Sequence, residues 1–441
     1  MSTLSTMPIF DREMEMAPRD RIREIQLEKL KQQVAWTYDN VSWYRTKLDE
    51  SGVAPADIKT LEDVRLLPFT DKAVLRDTFP YGLFAVPMSE VIELHSSSGT
   101  TGKPIVVGYN EHDMDVWSDC IARLAQMAGV VPGDRAQMAF GYGMFTGGFG
   151  LHYGLQKLGC MLIPAGSGNT ERHLTMIEDY GTTVLIATPS YAMHMCEVGE
   201  KLGFDWEKST LRIGLFGGEP CPPKLKHEIE TRMHITCTDN YGLTEVMGPG
   251  VSGECLASRD MQHIAEDHFL WEVIDPETGI PVAEGEEGEL VLTPLDKQAI
   301  PVLRYRTHDL TRVITEPCAC GRTHARMQKV RARSDDMLII RGTNVFPSQI
   351  EDVLAGIEGV TTHYRIVVDT VDGLDRLIVH VELKPSAFTD SFEEMNVFTR
   401  RIAEKIKATL QVGVTVRLVE PGGIERSLGK TKHVEDNRVR P

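Results

Sequence analysis

No stretch of this 441-residue chain approaches the ~20 consecutive apolar residues that a membrane-spanning helix requires. The N-terminal run M-S-T-L-S-T-M-P-I-F-D-R-E-M-E-M has no basic start followed by an apolar stretch, so no secretory signal is expected. Positive charge is scarce. The formal net charge of −17 disfavours nucleic acid or an anionic membrane surface as partner, although an acidic excess also serves plain solubility. Cysteine is sparse too: the eight cysteines are scattered except for Cys318 and Cys320. That distribution is no disulfide framework, and it points to a reducing cytoplasm.

Hydrophobic residues make up 41% of the chain and charged residues 25%, ordinary values for a globular protein. The length is enough for a large core and more than one domain. The most distinctive stretch is H-S-S-S-G-T-T-G-K-P, His95 to Pro104, which follows the alternating run Val91, Ile92, Glu93, Leu94. Alternation predicts a strand there, so the hydroxyl-rich loop leaves a strand end. Ser96, Ser97, Ser98, Thr100 and Thr101 offer hydroxyls, Gly99 and Gly102 allow unusual backbone, and Lys103 adds a point charge. These are the groups that grip a polyphosphate. The stretch is not a Walker A loop, because Pro104 stands where Ser or Thr would follow the lysine. A flexible polar turn is the bland alternative.

Along the chain, Asp20 is placed to cap a helix that turns Leu27, Leu30, Val34 and Tyr38 to one side. In L-P-F-T-D-K, Leu67 to Lys72, Thr70 is placed to cap the next one. A helix is expected from about His112 to Met127. The glycine-rich G-Y-G-M-F-T-G-G-F-G, Gly141 to Gly150, reads either as a lid or pocket wall or as a tight helix–strand crossing. Strands are expected at Cys160–Pro164, Val184–Ala187 and Arg212–Phe216, and helices at Thr170–Tyr180, Tyr191–Leu202 and Pro222–Thr231. Such alternation predicts a parallel, buried sheet with ligands at the carboxyl ends of its strands. Thr188-Pro189-Ser190 and Gly217-Gly218-Glu219-Pro220 fall there. Glu289–Leu292 and Arg312–Ile314 read as later antiparallel strands. From Asp336 the rhythm becomes β-α-β-β-α-β, a second domain of about 105 residues.

In D-N-Y-G-L-T-E, Asp239 to Glu245, Tyr241 can lie against a planar base, Thr244 can donate to phosphate and Glu245 can hold Mg²⁺. In Tyr305-Arg306-Thr307-His308-Asp309, the Asp309 carboxylate suits both hydroxyls of a ribose; a surface ion pair with Arg306 or Arg312 is the alternative. Arg333-Ser334-Asp335-Asp336 sits where the two rhythms meet, a natural hinge.

The order S-S-G-T-T-G-K-P, G-G-E-P, Y-G-L-T-E, Y-R-T-x-D, R-x-D-D and a final G-K resembles the adenylate-forming acyl-CoA synthetase superfamily. Within it, N-Y-G-L-T-E-V-M-G-P-G-V and R-S-D-D-M-L-I-I-R-G-T-N-V-F-P-S-Q-I-E are similar to the phenylacetate–CoA ligases. The resemblance implies an α/β fold: a large adenylation domain over 1–334 with parallel sheets and helices, and a small α+β C-terminal lid over 335–441. It implies ATP, Mg²⁺ and coenzyme A, an acyl-adenylate intermediate and a lid that rotates between two steps. By the same resemblance Ser97, Ser98, Gly99, Thr100, Thr101, Gly102 and Lys103 bind phosphates. Gly217, Gly218, Glu219, Pro220, Asp239, Asn240, Tyr241 and Gly242 line the adenine pocket, Thr244 meets phosphate and Glu245 binds Mg²⁺. Asp309 and Arg333 hold the ribose, Asp335 is the hinge and Lys430 is the mobile lysine of the first step. Gly218 and Cys221 depart from the Ala and Trp expected there.

Cys255, His263, Cys318 and Cys320 form a second cluster, with Gly321 easing the turn after C-A-C; His268 or His324 are alternative ligands. Thiolate and imidazole suit a structural Zn²⁺, and buried cysteines are the plain alternative. Tyr142, Phe145 and Phe216 are the expected walls of a pocket for a flat aryl acid, with Phe149 nearby. The partners so implied are small molecules (aryl acid, ATP and CoA), with room for a homodimer. Two other functions remain open on the sequence: an adenylating enzyme with a non-CoA acceptor, such as a carrier protein or a deazaflavin cofactor, and a nucleotide-binding sensor without catalysis.

Overall fold

The computed structural model describes residues 8–96, 104–330, 332–334, 338–340, 343–371, 374–389, 391–410, 412–426 and 433–438. The chain divides into two compact units, Met1–Cys221 with Ile229–Lys329, and Pro222–Glu228 with Val330–Pro441.

The larger unit opens with three helices, α1 (Arg12–Glu15), α2 (Arg19–Asn40) and α3 (Ser42–Ser51). Asp20 does not cap α2; it lies inside the first turn, where its charge complements the helix dipole. The buried face of α2 carries Ile22, Gln26, Leu30, Gln33, Val34 and Thr37, so Leu27 and Tyr38 fall to its edge. Thr70 is likewise not the cap of α4 (Lys72–Asp77). The Asp71 side chain accepts from Val74 N at 3.0 Å. Thr70 is fully buried, and its hydroxyl donates to the Leu303 carbonyl at 2.7 Å.

The hairpin β1 (Glu93–Ser96) and β2 (Val106–Tyr109) pairs Ser96 with Val106, making neighbours of the residues that flank the hydroxyl-rich stretch. Helix α5 (Glu111–Met127) starts on Asn110, whose side chain accepts from Asp113 N at 2.9 Å. It is followed by β3 (Arg135–Met138), α6 (Thr146–Leu158), β4 (Met161–Ile163), α7 (Thr170–Tyr180), β5 (Val184–Ala187), α8 (Pro189–Leu202), β6 (Ile213–Phe216) and α9 (Pro223–Met233). Next come β7 (Thr236–Leu243), β8 (Gly248–Cys255) and β9 (Ser258–Ile264), then β10 (Phe269–Ile274), β11 (Gly288–Pro294), β12 (Tyr305–Thr311), β13 (Val313–Ile314) and β14 (Arg326–Gln328).

One sheet runs β13-β14-β9-β8-β7-β6-β5-β3-β4. Its β4-β3-β5-β6-β7 half is parallel, as alternating strands and helices predict, and β5 and β6 are buried at every residue. From β7 onward the pairing turns antiparallel. A separate antiparallel set pairs β10 with β11 and β11 with β12.

The glycine-rich stretch decides how closely α5 and α6 approach. A Cβ on Gly150 would lie 2.1 Å from the Trp117 ring, and one on Gly154 2.2 Å from Ile121 Cβ. These two glycines one turn apart let α6 lie directly on α5. Trp117 Nε1 donates to the Pro249 carbonyl at 2.8 Å, and its ring stacks on Tyr109 at 4.7 Å. Gly150 thus serves a close approach of two helices, where a helix–strand crossing was expected, and Gly154, one turn beyond the Gly141–Gly150 stretch, does the same.

In the smaller unit a hairpin, Leu338–Ile340 with Thr343–Val345, precedes the helix Pro347–Ala355. Strands Val360–Val371 and Leu374–Leu383 pair antiparallel, the helix Phe392–Leu410 follows, and Val414–Val419 and Val434–Asp436 add parallel strands at either side. Alternate residues Ile366, Val368, Leu377, Val379, Val381 and Leu383 meet Ile402, Ile406 and Leu410, which recur every four positions along the helix. The strands Thr343–Val345 and Val434–Asp436 go beyond the β-α-β-β-α-β rhythm read from the sequence.

Candidate functional site

The parallel strands β3, β5, β6 and β7 end side by side, and the segments leaving their carboxyl ends carry the unusual residues. Glu219, after β6, accepts from the backbone N–H of Ser190, after β5, at 2.7 Å. Asn240 Nδ2 donates to the Phe216 carbonyl, and a Cβ on Gly217 would sit 2.8 Å from that amide nitrogen. Gly218 has φ +82°, a conformation that L side chains rarely adopt, which explains why the Ala expected there is absent. Its open side faces Phe140, Phe145 and Thr188, and Pro220 beside it is exposed.

Strand β7 carries Asp239, Asn240, Tyr241 and Gly242, and the turn into β8 begins at Thr244. Backbone at Gly242 passes so close to Gly248 that a Cβ would lie 1.9 Å from its carbonyl oxygen. Tyr241 Oη donates to Asp309 Oδ2 at 2.6 Å, joining two motifs 68 residues apart. Asp239 N donates to Glu254, which Lys329 also reaches at 2.8 Å; the same lysine lies 3.7 Å from Asp239. Thr244 Oγ1 lies 3.2 Å from Thr146 Oγ1, at the start of α6. Glu245 is buried, with Lys72 Nζ 3.7 Å from its Oε1. Lys72 reaches it because Thr70 bridges in parallel to Tyr305, bringing L-P-F-T-D-K alongside β12. Local patterning reads Lys72 only as a helix start.

Of the aromatic residues expected to line a pocket, Tyr142 bonds His152 Nδ1 at 2.9 Å, and burial raises its phenol to about 12. Its ring meets Phe149 edge-on at 5.2 Å, and Phe145 is 43% exposed. Phe216 is different: it is wholly buried, its ring folded over Gly214. A feature missed in the sequence lies next to these rings. His95 is buried, with Nε2 2.5 Å from Glu93 Oε1 and Nδ1 3.2 Å from the Met144 carbonyl, and Tyr153 donates to Glu93 at 2.7 Å. Glu93 and His95 are two apart on β1 and so share a face, which was the available signal.

The ligand atoms of Cys255, His263, Cys318 and Cys320 all lie within 4.8 Å of one another, and all four residues are buried. Cys255 Sγ is 3.7 Å from Cys318 Sγ, and Cys320 Sγ is 3.4 Å from His263 Nε2. His263 Nδ1 faces the His324 carbonyl at 3.3 Å, leaving Nε2 turned into the cluster. The two alternative histidines are engaged elsewhere: His268 Nδ1 with Asp296 at 2.9 Å and His324 Nδ1 with the Ile264 carbonyl at 3.1 Å. Hydrogen bonding from Cys255 holds Cys320 far below the ordinary thiol range, so the cluster favours a thiolate.

Ser97, Ser98, Gly99, Thr100, Thr101, Gly102, Lys103, Asp335 and Lys430 lie outside the described residues. Arg333 is half-buried on the short strand Ala332–Arg333 of the smaller unit.

Residues 26–293 match the family of AMP-binding enzymes, and residues 342–438 match the AMP-binding enzyme C-terminal domain. The chain is 45% identical to the phenylacetate-coenzyme A ligase of Escherichia coli (strain K12), over 96% of this chain and 97% of that protein. It is 44% identical to the phenylacetate-coenzyme A ligase of Thermus thermophilus, over 98% of this chain and 100% of that protein. Among solved structures, a 2-hydroxyisobutyryl-CoA ligase in the postadenylation state in complex with 2-HIB-AMP superposes with a TM-score of 0.91. That match has 27% identity and covers 99% of this chain and 95% of the other.

Proposed function

The chain belongs to the AMP-binding enzymes, and on that premise we propose that it is an ATP-dependent ligase that joins phenylacetate, or a similar arylacetic acid, to coenzyme A. The observation that carries this reading is the Tyr241–Asp309 hydrogen bond. It sets a planar ring and a diol-binding carboxylate together at the carboxyl edge of a parallel sheet, beside Gly217–Glu219 and Glu245. Similarity to phenylacetate-coenzyme A ligases over nearly the full length supports the choice of acid, and the exposed face of Phe145, near the open side of Gly218, suits a flat ring.

A carboxylate is a poor acyl donor because oxide would have to leave. Its attack on the α-phosphorus of ATP forms an acyl-adenylate and expels pyrophosphate; the CoA thiol then attacks the acyl carbon and AMP departs. Tyr241 stacks on adenine, and the backbone of Gly217–Pro220, with Asp239, Asn240 and Gly242, forms the rest of that pocket. Asp309 binds the ribose hydroxyls, a role that the family resemblance also gives to Arg333. Thr244 and the residues Ser97 to Lys103 donate to phosphate oxygens. Glu245 would hold Mg²⁺, which supplies charge neutralisation on the departing pyrophosphate. Lys72 Nζ stands 3.7 Å from the Glu245 carboxylate, on the same side of the site. Lys430 stabilises charge on the attacking carboxylate and α-phosphate. It belongs to a C-terminal lid, residues 335–441, that turns about Asp335 between the steps.

Zn²⁺ fits the Cys255–His263–Cys318–Cys320 cluster. Tetrahedral ligands at ordinary zinc distances stand about 3.7 Å apart for two sulfurs and about 3.6 Å for sulfur and nitrogen; two of the separations here are 3.7 and 3.4 Å, and all lie within 4.8 Å. With four protein ligands the site is structural. The deciding assay follows pyrophosphate release and thioester absorbance with CoA over a panel of aryl and aliphatic acids. Release that depends on phenylacetate, with thioester appearing only when CoA is added, is expected. Thioester formation with aliphatic acids alone would reject the arylacetate assignment.

A further inference from the structure

Strands β11 and β12 fall out of step at one place. Glu289 pairs with Leu310 and Val291 with Arg306, so Leu290 alone stands opposite Thr307, His308 and Asp309. The two additional residues make a bulge, and Asp309 sits on it. His308 at its centre has φ +61°, a left-handed backbone on a residue with a Cβ. That conformation is strained by about 1–2 kcal/mol and persists only if its surroundings enforce it.

What enforces it is a carboxylate. Glu289 is fully buried, within a strand buried along its whole length. Its Oε1 accepts from the His308 backbone N–H at 3.2 Å and from Arg306 Nε at 3.0 Å, and its Oε2 accepts from Arg306 Nη2 at 2.6 Å. Arg306 also donates to the Pro276 carbonyl at 2.7 Å, which holds the guanidinium in place. A second tie runs through Thr307: its hydroxyl donates to the Leu290 carbonyl at 2.7 Å and accepts from Asp309 N at 3.0 Å. Stability alone does not call for a buried acid here, because a well-packed apolar residue is usually as stable as a buried ion pair. An apolar residue could not accept from His308 N–H, and that bond is what keeps the bulge in its left-handed turn.

We propose that Glu289 is a positioning residue for nucleotide selection: by clamping the Arg306–His308 bulge it aims the Asp309 carboxylate, and so it sets the preference for a ribonucleoside over a deoxyribonucleoside triphosphate. This rests on the reading above in which Asp309 holds the ribose. Glu289 touches no substrate. It acts through the backbone of His308 and the direction this gives to Asp309, which Thr307 and the Tyr241 hydroxyl also hold.

The test compares kcat and KM for ATP, 2′-deoxyATP and 3′-deoxyATP in the wild type, Glu289→Gln, Arg306→Lys and Asp309→Asn. A hydrogen bond to a charged group corresponds to roughly 10–100-fold in affinity. Glu289→Gln is therefore expected to raise the ATP KM about tenfold while kcat holds within about twofold. The KM values for the deoxynucleotides should barely move, so discrimination collapses. Arg306→Lys keeps the charge but loses the fork, and should shift discrimination the same way by about threefold. Its side chain is part-exposed, so it decides the matter should Glu289→Gln fail to fold. If Asp309→Asn abolishes discrimination while Glu289→Gln and Arg306→Lys change all three nucleotides alike, Glu289 only supports the fold and the proposal is overturned. If Asp309→Asn itself leaves discrimination intact, the ribose reading fails and the proposal goes with it.

Discussion

Removing the metal from the Cys255–His263–Cys318–Cys320 cluster should loosen the larger unit without stopping its chemistry. The cluster joins the end of β8, the end of β9 and the segment between β13 and β14. That segment also anchors the N-terminus: Arg322 pairs with Glu15, Thr323 Oγ1 donates to the Ala17 carbonyl at 2.6 Å, and Ala325 N donates to Glu266, which also takes Arg19. These bonds persist in part without metal, so the loss should be smaller than the ~10–16 kcal/mol of a zinc-finger peptide, which has no fold of its own. At free metal a thousandfold above Kd, linkage gives about 4 kcal/mol. At about 2–4 °C per kcal/mol for a large domain, the melting temperature should fall by about 10 °C. The eight residues of β8, Gly248–Cys255, at about 3.3 Å each put the cluster roughly 25 Å from the Glu245 turn, so kcat at 25 °C should hold within about twofold. Metal content by mass spectrometry, calorimetry with and without chelator, and the same measurements on Cys318→Ser provide the check. Protein purified without chelator that carries no metal, or that melts unchanged after chelation, would refute the assignment. Activity lost at a temperature where the apo form is still folded would refute the claim that the metal is only structural.

Three further outcomes can be measured directly. Lys430→Ala should abolish acyl-adenylate formation and spare thioester formation from supplied phenylacetyl-AMP; equal loss in both half-reactions would contradict a first-step role. Gly150→Ala gains about 1 kcal/mol of helix propensity but drives a methyl to 2.1 Å from the Trp117 ring. Overpacking of that kind costs about 1–3 kcal/mol or more, so net destabilisation is expected by urea unfolding, relieved when Trp117 is replaced by Leu; a stabilised single variant would contradict it. Burial alone would raise Asp267, yet His268 and Arg123 hold it well below the usual carboxylate range, with Arg123 Nη1 2.8 Å from both of its oxygens. A depressed folded pKa stabilises above the unfolded value of about 4 and is lost as pH falls below it. Asp267→Asn should thus cost about 3–5 kcal/mol at pH 7, and its gap from wild type in urea midpoint should narrow below about pH 4. A gap that stays constant down to pH 3 would mean that charge is not the cause.

Helix α7 and strand β5 lie where the alternation of apolar and helical stretches puts them, because a strongly patterned segment reports its own exposure. That Cys255, His263, Cys318 and Cys320 come together was legible for a related reason: thiolate and imidazole chemistry narrows a candidate metal site to a few residues, whichever strands carry them. Phe216 was harder to judge, since in a strand buried on both faces an apolar residue at the end looks the same whether it lines a pocket or fills the core. Thr70 reads as the cap in the sequence, but Leu303 takes its hydroxyl and Asp71 caps instead. Lys72 and Glu289 gave no local sign of their roles.

The residue types and their local rhythm by themselves determined the α/β character of the chain, the positions of most elements and the identity of the chemically competent groups, because those follow from interactions among residues a few positions apart. Only the tertiary structure decided that Tyr241 meets Asp309, that Lys72 meets Glu245 and that Glu289 braces the bulge beneath Asp309. Such pairings depend on strand register and loop paths. A single residue added to a bulge re-aims a side chain while leaving the letters on either side almost unchanged.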